Sequence, residues 1–288
     1  MAAIKSYKGF DKNLKCRDFQ YEIGKEYEMD GEIKVCNRGF HACESPFDVF
    51  DHYTMIDSRF CEVEQDGNIS KEDRGTKICS SKIKIKAELK LADMINLGVE
   101  WLKEITSPEK IKTSIKDNSS GNGAKIGSSG YDAQIGSSGN GAQIGSSGNG
   151  AKIGSSGYGA KIGSSGNGAQ IGSSGYGAQI GSSGNGAKIG SSGDGAQIGS
   201  SGDGAQIGSS GDGAKIDSTG EGCVIMCAGI NSVAKASKGS WITLSEWSYS
   251  NKKKRYIPVC VKTEFVDGEK IKADTYYKLA GGVFKEIQ

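Results

Sequence analysis

The sequence predicts a mainly β protein: a nonapeptide-repeat β-solenoid with two repeats per coil, capped by an N-terminal α+β domain and a small C-terminal β domain. Three observations carry that expectation. Isoleucine recurs every nine residues from Ile126 to Ile216, and again at Ile225. Alanine stands two residues before each of them from Ala124 to Ala214, with Cys223 in the last unit. The remaining residues are turn formers, GSSG followed by Asn, Tyr or Asp and then, in most units, Gly.

The triplet Ala–Lys/Gln–Ile reads as a minimal strand, with Ala and Ile on one side and Lys or Gln facing water. One strand and one turn in a fixed period is the signature of a solenoid. A flexible Gly/Ser linker has no reason to hold Ile in register. Two units per coil place Lys125, Gln143, Lys161, Gln179, Gln197 and Lys215 on one face, and Gln134, Lys152, Gln170, Lys188 and Gln206 on the other. No Lys then lies above another Lys. Three per coil would build a like-charge ladder from Lys161, Lys188 and Lys215. Two per coil also sets Tyr158 beside Tyr176 and stacks Asn149, Asn167 and Asn185. The rival is a bundle of polyproline-II-like helices, suggested by a small residue at every third position. The expected rod has about six coils and is roughly 29 Å long at the strand spacing.

The expected boundaries are a head at 1–117, the solenoid at 118–226, and a capping coil with a β cap at 227–288. In the head, SRFCEVEQDG (58–67) and TKICSSKIKIKAELKL (76–91) alternate as strands. ESPFDVFDHY (44–53) carries a helix start, with Ser45 as cap, Pro46 in the first turn and Asp48 three residues after the cap. ADMINLGVEWLKEI (92–105) reads as a second helix, and SPEKIKTSIKD should lead into the first coil and cover its edge. At the C-terminus SWITLSEW, RYIPVCVKTEFVDGEKIKADTYYKL and GGVFKEI read as short strands joined by turns at NKKKR, DGE and AGG.

The head motifs YKGFDKNLKC, GKEYE, GFHACESPFDVFDHY and SRFCEVEQDGNIS, a tract of small-residue repeats and the tail DGEKIKADTYYKL together resemble a family of uncharacterised proteins found in bacteria and their phages. The resemblance covers both ends and the arrangement of the chain. It implies a bacterial or mobile-element setting and brings no activity with it. Family members often carry Ala/Thr-rich units where this chain has GSSG and Ile.

Composition excludes several classes. A net charge of +2 is too near neutral to predict a nucleic-acid partner. The start lacks an apolar signal region, and no run of about eighteen apolar residues predicts a membrane span. A soluble cytoplasmic protein, in a bacterial or phage-infected host, is expected, with its eight cysteines as thiols. Cys36 and Cys43 flank His41 without the paired spacing a zinc site needs, so no metal is expected. His41 and Cys43 could form a base and a nucleophile, but no orienting carboxylate is evident. Asp194, Asp203, Asp212 and Glu221 are similar to the acids of calcium-binding nonapeptide rolls, yet stand one residue after Gly instead of two. Lys252–Arg255 reads as a solvated turn. The outward Ser, Lys, Gln and Asn rows do not form the Thr ladder of an ice-binding surface.

Two functional expectations follow. The first is a non-enzymatic scaffold, without cofactor, that meets itself or another protein. Its binding row is Tyr131, Tyr158, Tyr176, Asn149, Asn167, Asp194, Asp203 and Asp212, joined by Asn122 and Asn140, or else the Lys/Gln faces. The second places a ligand-sequestering or nucleotide-binding module, faintly similar to ADP-ribosyltransferase folds, in the head, with Tyr7, Phe40, His41 and Glu64 as its residues and the solenoid as spacer. Its ligand would be a small nucleotide.

Overall fold

The computed structural model describes residues 3–72, 75–106 and 121–287. They divide into two compact units, Met1–Trp101 and Leu102–Gln288. The SPEKIKTSIKD segment lies outside the described residues.

The first unit is built on β1 (Ile4–Phe10), β2 (Lys15–Cys16), β3 (Phe19–Gln20), β4 (Glu26–Glu28), β5 (Phe40–Cys43), β6 (Arg59–Lys71) and β7 (Lys77–Leu89). The long antiparallel pair β6–β7 is the frame; β1 pairs with β6 over seven residues, and β5 and β4 pair in turn with β7. A single pairing, Tyr7 with Cys43, joins β1 to β5 and closes the ring β1–β6–β7–β5. Alternation decides what fills it: Phe60, Val63, Ile83 and Ile85 point inward, buried at 2 % exposure or less. Gln65 is also inside, and its side-chain amide donates to the carbonyls of Phe40 (2.8 Å) and Ile78 (3.3 Å), tying β5 and β7 to β6.

The expected helix after Ser45 is a five-residue 3-10 turn, Phe47–Asp51, capped at Pro46 without a side-chain bond from Ser45. Phe47, Val49 and Phe50 of that short stretch are all buried, so packing holds it and a longer amphipathic face never develops. Helix α1 (Leu91–Ile105) forms as the 3.6-residue spacing predicts, with Met94, Ile95 and Val99 buried. Gly98 lets it approach closely, since a methyl there would strike the ring of Phe47.

The second unit is a parallel β-solenoid of two repeats per coil. Its strands are four residues long and nine apart, from β8 (Lys125–Ser128) and β9 (Gln134–Ser137) through to β18 (Lys215–Ser218). Each pairs with the strand eighteen residues on: Gln143 with Lys125 and with Lys161, Lys152 with Gln134 and with Gln170. The threefold-helix alternative is thereby replaced by two parallel ladders. The strand proper is Lys/Gln–Ile–Gly–Ser, with Ala just ahead of it, so three rows face inward: Ala, Ile and the first Ser of GSSG.

The coils number seven, one more than expected, because the ladders continue where the glycine rhythm stops. β19 (Val224–Cys227), β20 (Val233–Ala236) and β21 (Trp241–Ser250) stack in register on the coils before them. The ladder needs backbone and a small inward residue, and Cys227, Ala234 and Ala236 supply that as well as Ser does. Two antiparallel hairpins then close the end: β21 with β22 (Arg255–Phe265), and β23 (Tyr276–Ala280) with β24 (Val283–Ile287). Val266, Ile271, Tyr277 and Leu279 seal the aliphatic column, at most 6 % exposed. At the first coil, residues 102–106 cover Gly127, where a built Cβ would lie 2.8 Å from the Lys103 amide nitrogen.

The expectation that Lys and Gln face water holds for one ladder only. Gln134, Lys152, Gln170, Lys188 and Gln206 are exposed, whereas Gln143 and Lys161 of the other are buried. In that second ladder the outward glycine position becomes Asp217, which pairs with Lys235 one coil on (3.1 Å), while Lys215 and Lys235 sit over the ring of Tyr276.

Candidate functional site

The first unit contains a cavity of about 1110 Å³. It lies along the seam where β1 and β5 barely pair: Tyr7, Lys8 and Gly9 form one wall and Gly39 to Cys43 the other, closed over by residues of the 16–29 segment and by Tyr53. A ring of strands held by one pairing at that point leaves space between them. Gly9 makes room for Tyr53, whose ring would collide with any Cβ there. Two lining residues, Arg17 (φ 55°) and Cys36 (φ 63°), hold left-handed backbone, a conformation that costs non-glycine residues roughly 1–3 kcal/mol and concentrates at functional sites.

Lys8 is the unusual group. Strand alternation turns it to the same side as Phe10, and its side chain is buried, 4 % exposed. Its Nζ donates to the carbonyl of His41 (2.9 Å) and lies 3.6 Å from Cys16 Sγ, with the rings of Phe10 and Tyr21 at 5.4 and 5.6 Å. Among the described residues it has no carboxylate partner. Burial pushes its pKa down, only partly countered by the Cys16 and Cys43 thiols, and Arg17 adds to the depression. The hydroxyl of Tyr53 donates to Cys16 Sγ (3.0 Å), and burial followed by that thiol raises the phenol.

Of the head residues singled out from sequence, Tyr7, Phe40 and His41 line the cavity. His41 Nε2 accepts the Cys36 amide (3.0 Å); burial first, then Lys8 and Lys77, lower its pKa, so the ring is neutral at pH 7. Glu64 is not brought to them. It alternates with the inward Val63 and Gln65 of β6, pairs with Lys86 (2.8 Å), and is absent from the cavity wall. Cys43 does line the cavity, but burial pushes its thiol up to about 12, far from a nucleophile at neutral pH. Lys8, the residue the sequence reading passed over, was legible in YKGF as a lysine between aromatic positions of a strand.

The corner rows of the solenoid have a different logic. Asn167 Oδ1 accepts the Asn185 amide of the next coil, Asn185 accepts from Asp203, and Asn149 from Asn167, each at 2.9 Å. Asp194 and Asp203 do the same for Asp212 and Glu221, and Asp212 for Ile230. Asn and Asp therefore stand at these corners to bind one coil to the next. Tyrosine cannot supply that acceptor. Tyr131, Tyr158 and Tyr176 are exposed at 80, 59 and 55 %, and Tyr158 and Tyr176 stack with centroids 5.2 Å apart and planes within 13°. Replacing the unstacked Tyr131 by Asn should restore an acceptor for the Asn149 amide and stabilise by about 0.5–1.5 kcal/mol. A higher melting temperature and slower exchange of that amide are the expected readouts.

A third surface escaped the sequence reading. β22 is the terminal strand of its sheet, and both its faces carry apolar residues. Val259, Val261 and Phe265 point outward at 53, 64 and 41 % exposure, continuous across the pairing with Trp241, and Val224 and Met226 extend the patch one coil back. Below them the same face is nearly free of side chains along Gly208, Gly190, Gly172, Gly154 and Gly136, a shallow depression of about 1010 Å³. The alternating RYIPVCVKTEF signals a strand; that its outward side is as apolar as its inward side was the available clue.

Among the described residues no helix is long and apolar enough to cross a membrane. Residues 4–97 match a family model described as a domain of unknown function (DUF7666), which covers the head and less than half of the chain. No curated protein and no solved structure matches.

Proposed function

We propose that the chain is a non-enzymatic repeat scaffold whose solenoid assembles with a second copy of itself through the β22 edge, leaving the tyrosine corner for display. The observation that carries this is an eleven-residue edge strand with an exposed apolar face. Such an edge offers a row of unpaired backbone groups to another chain, and stable monomers usually blunt it. Here Pro258 and the bulge at Glu246/Trp247 interrupt it only near the turn. Charge fits an antiparallel pairing of two copies: the basic turn Lys252–Arg255 at one end of β22 meets Asp267 and Glu269 beyond the other. A cytoplasmic, mobile-element setting is consistent with such a scaffold.

Sedimentation velocity tests it. The wild-type chain should run as a dimer or larger at high micromolar concentration, and Val261→Lys, which places a charge on the exposed edge, should run as a monomer with an unchanged circular dichroism spectrum. A wild-type chain that stays monomeric, or a variant that still associates, overturns the proposal.

A further inference from the structure

We propose that the head cavity is a binding site for a small anionic molecule with a planar ring, its charged group held by Lys8 and Arg17 and its ring by the aromatic wall. This stands apart from the assembly surface and concerns the other unit. The first support is the state of Lys8. A buried ammonium is normally paired, because isolation from water costs several kcal/mol. Lys8 is buried against a carbonyl and a thiol, with no carboxylate partner among the described residues. The titratable groups facing it are Cys16, Cys43, Tyr21, Tyr53 and His41, none of them an anion at neutral pH, with Arg17 adding a second cation at the rim. Arg17 likewise has no ion pair among the described residues, and it holds a left-handed backbone there.

The second support is shape. About 1110 Å³ suits a molecule of nucleotide size, and such sites are concave and mostly apolar with a few polar groups that orient the ligand. Phe19, Tyr21 and Tyr27 meet edge to face at 4.7–5.3 Å and form one aromatic side of the cavity. Lys8 also has the mark of a residue kept at a cost to the fold. Its folded pKa lies below that of the unfolded chain, so the unfolded state binds more protons and stability rises with pH between the folded value and the ordinary 10.5. Lys8→Met should therefore fold, melt higher than wild type at pH 7, and lose that advantage as pH approaches the ordinary lysine value.

Calorimetric titration of the full chain at pH 8 tests the site with adenosine monophosphate and benzoate as probes, adenosine and benzamide as their neutral counterparts, and inorganic phosphate as the anion alone. At least one anionic ring should bind, at least tenfold more tightly than its neutral counterpart and than phosphate. Binding should take up protons, seen as a dependence of the heat on buffer ionisation enthalpy, because an anion beside Lys8 favours its charged form. Lys8→Met should weaken binding at least tenfold and abolish the proton uptake, with Arg17→Gln weakening it less. If neither probe binds, if the neutral rings bind as well, or if folded Lys8→Met binds like wild type, the inference fails.

Discussion

Ile171→Asp lowers the melting temperature of the solenoid by more than about 10 °C, while Gln170→Glu beside it changes little. The two neighbours differ only in which way the strand turns them. Ile171 is 3 % exposed and pairs in register with Ile153 and Ile189 in the sealed column. Gln170 is exposed. Removing the aliphatic side chain alone costs about 2–5 kcal/mol. A carboxylate in its place adds the penalty for an unpaired buried charge, several kcal/mol, or else stays protonated. For a unit of this size each kcal/mol moves the melting temperature by about 2–4 °C. A surface change such as Gln170→Glu falls within about 0.5 kcal/mol. The introduced Asp has a folded pKa above its unfolded value, so its penalty should be fully present at neutral pH and shrink as pH falls toward 4. Because coils couple mainly to their neighbours, hydrogen exchange should show the damage centred on the coils of Ile153 and Ile189. Equal shifts for the two variants would mean that the strand does not face as described.

Gly175→Ala disrupts the solenoid, whereas Gly172→Ala three residues earlier is neutral or stabilising by about 0.4–1 kcal/mol. The repeat contains three glycines, and they are there for three reasons. A methyl on Gly175 would land on the carbonyl oxygen of Gly157 in the preceding coil, and the same collision recurs at the equivalent glycine of every coil from Gly139 to Gly229. Gly177 holds φ 65°, a left-handed turn conformation that L residues resist. Gly172 is under neither constraint: a Cβ there meets nothing within 4 Å. Alanine at Gly172 therefore narrows the unfolded ensemble at no steric expense. Alanine at Gly175 must push two coils apart and break the ladder bonds on either side, such as Gly177 N–H to the Asp194 carbonyl (2.8 Å). Thermal melting and the retained β signal separate the two variants. A tolerated Gly175→Ala would mean that the coils are not packed backbone to backbone.

The repeat was legible because one physical constraint recurs many times: a sealed Ile row, a small Ala row and turns that need glycine. The Lys/Gln order even disclosed the coil size, since like charges avoid stacking one strand spacing apart, and the register of Gln143 on Lys125 agrees. The corner Asn and Asp were legible as a pattern but not in their role. They stood out as a possible binding row, and their acceptor oxygens prove to hold the amides of the next coil. Glu64 looked like a partner for His41 in a linear reading. Strand alternation turns it away, a consequence of pairing that order along the chain does not convey.

By itself the sequence determined everything that follows from short-range periodicity: the solenoid, its two repeats per coil, the inward rows, α1, and the hairpins at NKKKR and AGG. Tertiary structure decided what depends on residues far apart in the chain. The closing of the β1–β6–β7–β5 ring by one pairing creates the cavity and leaves Lys8 buried in it without a counter-charge. The stacking of β19, β20 and β21 carries the column past its glycine period, and β22 becomes an apolar edge only because nothing among the described residues pairs beyond it. A nine-residue pattern specifies its own neighbours; a seam between β1 and β5, more than thirty residues apart, is fixed only when the whole sheet closes.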